Sequence, residues 1–241
     1  MNLLQSFADL LFPPKCSLCG VTVSHADALC ADCYLKYKSE TEETCPACGN
    51  MAVKCVCGCF AQTPLLCLAF YKGYRSDSNR ISERLVYRLK RKYDKRLTEF
   101  FARDLAYRIM LYVNEHDLDK NEFVLTYPPR SEKSLAKYGF DHAEKLTKQV
   151  SRYTGMKLIH TMKHIGGDEQ KMLDREGRTE NISASLLPRK NITLAEKSVF
   201  LIDDIVTTGA TMNRAAELIH NMGARCVIAV SVFRTLPQTR R

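Results

Sequence analysis

Two groups of residues in this sequence have the types and spacing to do chemistry. The first is Phe200-Leu201-Ile202-Asp203-Asp204-Ile205-Val206-Thr207-Thr208-Gly209-Ala210-Thr211. Adjacent carboxylates at the end of an apolar run are costly to bury unless something occupies them. The turn that follows shows what could. Thr207, Thr208, Gly209, Ala210 and Thr211 lead into a helical pattern ending at Gly223. Their backbone N–H groups, their hydroxyls and the dipole of that helix favour an anion. Gly209 lets the backbone come close. Carboxylates accept hydrogen bonds from paired hydroxyls. An anion end beside a diol end suits a ribose 5-phosphate group, with Asp203 and Asp204 as the candidate catalytic acids and Thr207 to Thr211 as the phosphate turn.

The second group is the cysteines. Eleven are present, and most lie in one stretch as Cys16-x2-Cys19, Cys30-x2-Cys33, Cys45-x2-Cys48, then Cys55, Cys57 and Cys59. Two cysteines separated by two residues on a tight turn point at one Zn²⁺, and two such turns complete a tetrahedron. Cys16, Cys19, Cys30 and Cys33 therefore form one four-thiolate site. Cys45 and Cys48 begin a second, closed by two of Cys55, Cys57 and Cys59; Cys55 and Cys59 are the pair carried forward. Gly20 and Gly49 follow the second cysteine of their pairs, where a glycine relieves the closing backbone. A catalytic zinc needs an open position and usually His or carboxylate ligands, and His25 is the only histidine of this stretch. The metal is expected to be structural. Cys67 and Cys226 sit in apolar runs and read as buried thiols.

These sites need elements to position them. The alternation of apolar runs and helical periods from residue 122 onward implies a mostly parallel sheet with helices on both faces. In such a sheet ligands bind at the carboxyl ends of strands, where Asp203 and Asp204 lie. "LAFYKGY" (68–74) reads as a further strand. Two amphipathic helices follow, with Ile81, Leu85, Leu89 and Tyr93 on one face and Leu97, Phe101, Leu105 and Ile109 on the next. The N-terminal "MNLLQSFADLLF" reads as a short amphipathic helix and not as a signal peptide. The expected division is a double zinc-ribbon module over 1–62 and an α/β domain over 63–241. No apolar run reaches the roughly 18 residues of a membrane helix, and a cytoplasmic location is expected.

The net charge of +9 is unevenly spread. Residues 1–70 hold 4 Lys/Arg against 6 Asp/Glu, whereas residues 72–103 hold 11 against 4. An acidic zinc module repels phosphates, so a stabilising or protein-contact role is expected for it. The basic stretch, with Arg80, Arg84, Arg88, Arg91 and Lys92 among Tyr71, Tyr74, Tyr87 and Tyr93, is either a solvated amphipathic pair or a surface for polyphosphate or single-stranded nucleic acid.

The D-D-x-x-T-T-G-x-T stretch resembles the phosphoribosyl pyrophosphate (PRPP) signature of type I phosphoribosyltransferases. Together with the double zinc ribbon, Lys90 in "RLKRKYD", "TYPPR", "KYGFDHAEKL" and "EQKMLDREGRTEN", it looks like the ComF family of competence-associated proteins, over about residues 10 to 235. The resemblance implies ribose hydroxyls on Asp203 and Asp204 and the 5′-phosphate on Thr207 to Thr211. It puts the Tyr127 to Arg130 turn at the pyrophosphate. Here Thr126-Tyr127-Pro128-Pro129 stands where the family has Pro-Val-Pro, and Arg130 still supplies charge. Tyr138-Gly139-Phe140-Asp141-His142 stands where the family has Arg-Gly-Phe-Asn-Gln, with Lys137 as the substitute charge. Gln170, Arg178 and Asn181 match a segment that in this fold is often a mobile flap, with Gly166 and Gly167 as its hinge.

Two functions follow from the resemblance. One is Mg²⁺-dependent phosphoribosyl transfer from PRPP to an acceptor, with His142 and His164 as candidate contacts. The other is a non-catalytic accessory that grips a ribose phosphate or single-stranded DNA in natural transformation, with a DNA-uptake helicase as partner.

Overall fold

The computed structural model describes residues 12–55, 63–71, 80–91, 93–165 and 185–235. The expectations placed on the segment before Phe12, on Cys57, Cys59, Tyr74 and Lys92, and on Gly166, Gly167, Gln170, Arg178 and Asn181 lie outside the described residues. In chain order the elements are α1 (Ala31–Thr41), β1 (Leu65–Tyr71), α2 (Ile81–Arg91), α3 (Lys95–Glu115), β2 (Phe123–Thr126), α4 (Glu132–Tyr138), α5 (His142–Thr154), β3 (Lys157–Leu158), β4 (Met162–His164), β5 (Leu186–Pro188), β6 (Ser198–Val206), α6 (Ala210–Asn221) and β7 (Cys226–Thr235).

β1, β7, β6, β2 and β3 form one sheet in that order, and every neighbouring pair is parallel. A strand covered on both faces reads as a continuous apolar run, and β6 and β7 do. Their alternate residues go to opposite layers. Phe200, Ile202, Ile228 and Val230 join the core shared with α2, α3 and α5. Val199, Leu201, Val227 and Ala229 join the core shared with α6. The seam expected on α3 is fully buried, with Leu97, Phe101, Leu105 and Ile109 each at 0% exposure. β4 and β5 pair antiparallel as a separate two-stranded ribbon.

The cysteine-rich segment packs against the α/β unit, and the basic stretch is what holds it there. Arg80 Nη1 and Nη2 donate to the two Glu43 oxygens at 2.6 and 2.9 Å. Arg84 Nη2 donates to the Leu18 carbonyl at 3.3 Å. Arg96 donates to the carbonyls of Asp27 and Lys15 at 3.1 and 2.5 Å. Glu40 of α1 accepts from the N–H groups of Ile81 and Ser82 at 2.7 and 2.8 Å. A carboxylate from α1 thus caps α2, which satisfies two N–H groups left open by the helix start and complements its dipole. Tyr34, Tyr37, Phe100 and Phe101 stack edge to face behind these contacts. Three of the arginines in the basic stretch therefore serve as internal glue between a negative segment and a positive one.

Glu40→Ala removes both bonds to the start of α2. The expected cost is about 1–2 kcal/mol, the usual range for a lost cap, read as a lower urea midpoint with an unchanged slope. An unshifted midpoint would show that this seam carries no free energy.

Candidate ribose-phosphate site and metal centres

β6 continues through both acids to Val206, because Ile205 and Val206 still pair with Phe233 and Arg234 of β7. Asp203 and Asp204 are thereby fixed side by side at the carboxyl end of the sheet. The Asp204 N–H donates to Asp203 Oδ1 at 2.8 Å. Arg130 reaches over from the turn after β2, its Nη2 lying 3.4 Å from Asp204 Oδ2. Two carboxylates share this single guanidinium. Although solvent reaches part of Asp203, protein surrounds its carboxyl. Burial first, then the charge of Asp204, pushes it well above the usual carboxylate range, against the pull of Arg130.

Arg130 is held by its own backbone. Its N–H donates to Asp141 Oδ2 at 2.8 Å, while Asp141 Oδ1 caps α5 through the Glu144 N–H at 3.2 Å. Asp141 therefore ties the turn after β2 to the start of α5. Its cap signature, Asp141 with Glu144 three residues on, is present in the sequence. The Tyr127 hydroxyl is engaged elsewhere, 2.9 Å from His160 Nδ1. Pro128 and Pro129 have no N–H, and that of Arg130 is engaged. Residues 128–130 consequently offer a ligand no free backbone donor. The guanidinium of Arg130 and the amine of Lys137 both lie over the Tyr138 ring, 5.7 and 5.1 Å from its centre, so the two cations expected near the site share one support.

α6 starts at Gly209, whose φ of +81° is readily adopted by glycine and which has no side chain to cap the helix. Thr208 Oγ1 lies 3.4 Å from the Ala210 N–H. Thr207, Thr208, Ala210 and Thr211 are exposed and Gly209 is buried. The turn is thus an open helix start immediately after the paired acids.

His142 sits behind the acids, 4% exposed, with Nε2 lacking a hydrogen-bond partner. Its ring meets Phe140 edge to face at 4.2 Å. Burial brings its pKa down to about 4, with the charge of Asp204 opposing and the carbonyl of Lys90 accepting from the ring. A histidine depressed from 6.5 keeps the fold stable above pH 6.5, and that stability is lost as pH falls toward about 4. His164 is elsewhere, half-buried on β4 with Nδ1 at 2.9 Å from the Ile165 carbonyl. Replacing His142 by Phe should remove part of the acid-limb loss between pH 6.5 and about 4, up to about 3 kcal/mol. Parallel pH–stability curves for the two proteins would contradict the assignment.

The cysteines gather as their spacing predicts. The sulfurs of Cys16, Cys19, Cys30 and Cys33 lie within 4.8 Å of one another, as do those of Cys45, Cys48 and Cys55. Cys19 and Cys30 are 3.6 Å apart and Cys48 and Cys55 3.7 Å. A tetrahedron with Zn–S of about 2.3 Å has edges of about 3.8 Å, so both clusters fit zinc. Gly20 and Gly49 have φ of +79° and +72° and close the knuckles onto the carbonyls of Cys16 and Cys45. Burial resists ionisation of Cys16, yet the N–H groups of Cys19, Cys30 and Leu18 bring it down to about 6. Cys55 belongs to the second cluster. The chemistry is charge-stabilised folding: four thiolates on Zn²⁺ close a loop that has little apolar core of its own. Cys67 is a buried thiol donating to the Ala52 carbonyl at 3.3 Å.

Comparison with known proteins agrees with this anatomy. A double zinc ribbon domain model matches residues 7–69 and a phosphoribosyl transferase domain model matches residues 134–241. The competence protein ComFC of Streptococcus pneumoniae is 25% identical over 91% of this chain and all of the relative. ComFC of Bacillus subtilis is 26% identical over 87% of this chain and 85% of the relative. Among solved structures, a hypoxanthine phosphoribosyltransferase of Staphylococcus aureus overlaps 58% of this chain and 75% of its own, at 12% identity and a TM-score of 0.36. Among the described residues no helix is long and apolar enough to cross a membrane. The chain is thus similar over most of its length to ComFC competence proteins, with a double zinc ribbon match toward its start and a phosphoribosyl transferase domain match toward its end.

Proposed function

We propose that this protein binds the ribose 5-phosphate group of PRPP, with Mg²⁺, as part of DNA uptake. The observation that carries the reading is the pairing of Asp203 and Asp204 beside an open helix start. The acids are a charge excess that ribose hydroxyls would satisfy, and the turn from Thr207 to Thr211 is where a phosphate would sit. Arg130, with Lys137 on the same aromatic ring, would meet a pyrophosphate. Mg²⁺ supplies positive charge to that pyrophosphate when bound. Transfer to an acceptor would need little more than charge stabilisation and positioning as the ribose becomes oxocarbenium-like. The residues named here are sufficient for that role, and none is required to act as a base.

Asp203→Asn separates the cost of the site from its use. Removing one of two adjacent charges should raise the melting temperature of the ligand-free protein at pH 7, by roughly 2–4 °C for about 1 kcal/mol. In calorimetry the same change should abolish saturable binding of PRPP with Mg²⁺ while zinc content stays unchanged. Full PRPP affinity in the variant removes the site assignment.

A second reading, that of a carrier for single-stranded DNA with an uptake helicase as partner, is favoured by one surface. A cleft of about 960 Å³ lies between β3 and the β4–β5 ribbon. Lys157, His160, Lys163, Arg189 and Lys190 line it together with Leu158, Ile159, Leu187, Pro188 and Ile192, and among the described residues no acid does. Three arginines of the basic stretch, Arg80, Arg84 and Arg96, are engaged within the fold, and this cleft offers a phosphate backbone a second concentration of charge. Reversing Lys157 and Lys190 to Glu should weaken binding of a single-stranded oligonucleotide about ten-fold or more and flatten its salt dependence. Equal binding by the variant would direct attention away from this cleft.

A further inference from the structure

Arg234 is 3% exposed near the end of β7, and its Nη1 donates to the Cys55 carbonyl at 2.6 Å. Among the described residues no carboxylate pairs with it. A guanidinium withdrawn from water without an anion costs several kcal/mol. Its partner residue carries the sulfur that belongs to the second cysteine cluster, with Cys45 and Cys48. The three thiolates of that cluster would give a bound Zn²⁺ a formal charge of −1. Metal loading therefore creates the counter-ion that Arg234 lacks.

The same arginine is close to the phosphate turn along the sheet. It pairs in register with Val206, the residue before Thr207. The second cysteine knuckle is fastened to this end of the sheet at two points: Cys67 of β1 donates to the Ala52 carbonyl, and Arg234 of β7 donates to that of Cys55. Cys45, Ala52, Cys55, Cys67 and Phe70 form one buried cluster there. This knuckle is thus part of the wall at the carboxyl ends of β1 and β7.

We propose that Arg234 is a positioning residue that couples the second metal centre to the ribose-phosphate turn. The metal–thiolate anion holds the guanidinium, the guanidinium holds the end of β7, and β7 holds the end of β6 from which the turn springs. Metal at the second centre then sets affinity at a site that its ligands do not touch. The ligand part of this inference rests on the ribose-phosphate reading above.

The test uses the full chain with three variants: Cys48→Ser, Arg234→Gln and Arg234→Lys. Zinc content, calorimetric affinity for ribose 5-phosphate and hydrogen exchange of the amides at 206–211 are measured on each. Cys48 is exposed, so its loss disturbs packing least. Cys48→Ser should release about one zinc, weaken ribose 5-phosphate about five-fold, and speed exchange at 206–211 without ligand. Arg234→Gln should lower zinc affinity at the second centre about ten-fold, as loss of an outer-shell partner does, and speed the same amides. Arg234→Lys keeps the charge and should recover part of both; it also stands in should the Gln variant fail to fold. A Cys48→Ser protein that loses zinc yet keeps wild-type exchange overturns the coupling, as does an Arg234→Gln protein that holds zinc as tightly as wild type. Failure of the wild-type protein to bind ribose 5-phosphate would remove the ligand reading alone, and the exchange data would still decide the coupling.

Discussion

Two negative groups stand side by side at the end of β6, and much of the molecule is arranged to keep them there. Backbone pairing with β7 runs past Asp203 to Val206, so neither acid can swing out with a frayed strand. Arg130 neutralises one of the pair. Its own place is set by Asp141, which also starts α5, and α5 packs on the same sheet. An apolar core on both faces supplies the free energy that tolerates the remaining repulsion. A fold that maximised its own stability would have replaced one acid. Keeping both is what a binding site requires, because the unsatisfied charge is available only to a ligand that brings hydroxyls or a cation.

Charge also organises the larger architecture. The excess of +9 suggests a polyanion partner until the basic stretch is traced. Arg80, Arg84 and Arg96 meet Glu43, the Leu18 carbonyl and the carbonyls of Lys15 and Asp27. Those contacts join the segment richest in arginine to the segment with the acid excess, which is the simplest electrostatic solution for a small metal-stapled unit with few apolar residues. The cleft beside β3 gathers Lys157, His160, Lys163, Arg189 and Lys190, with no acid among the described residues that line it. Local charge density in the sequence and available charge on the surface are therefore different quantities.

What was legible in the sequence is what is local. The apolar run, the acids and the turn fall within twelve residues, and each has a backbone reason to be where it is. Cysteine pairs two residues apart likewise specify a knuckle without reference to the rest of the chain. The α3 seam was readable because one helical period decides it. The contacts that join these parts were not, because they cross large sequence distances. Arg234 and Cys55 are 179 residues apart and Arg80 and Glu43 are 37 apart, and no periodicity links such pairs. α1 went unread because it fills the gap between knuckles, where the cysteine pattern dominates the residues that form a helix. Asp141 was visible as a departure from the family's motif, but its double role as helix cap and clamp on Arg130 needs the turn after β2 to fold back on α5.

The turn after β2 bears on whether the site turns over or only holds. A diphosphate is best gripped by several backbone N–H groups at once. Pro128 and Pro129 cannot supply them, and the N–H of Arg130 is bound to Asp141. The Tyr127 hydroxyl is engaged with His160. On the proposed reading, the diphosphate end of PRPP would be left to the side chains of Arg130 and Lys137 and to the metal it carries, whereas the 5′-phosphate end would meet the start of α6. On that reading, affinity would be concentrated on the ribose phosphate, the part that PRPP shares with its own hydrolysis product and with nucleotides. Discrimination between those ligands would then fall on Mg²⁺, because the metal is the one component that only a diphosphate brings with it in strength. An enzyme of this construction would depend on Mg²⁺ more steeply than on any side chain of the turn, and a carrier of the same construction would not depend on it at all.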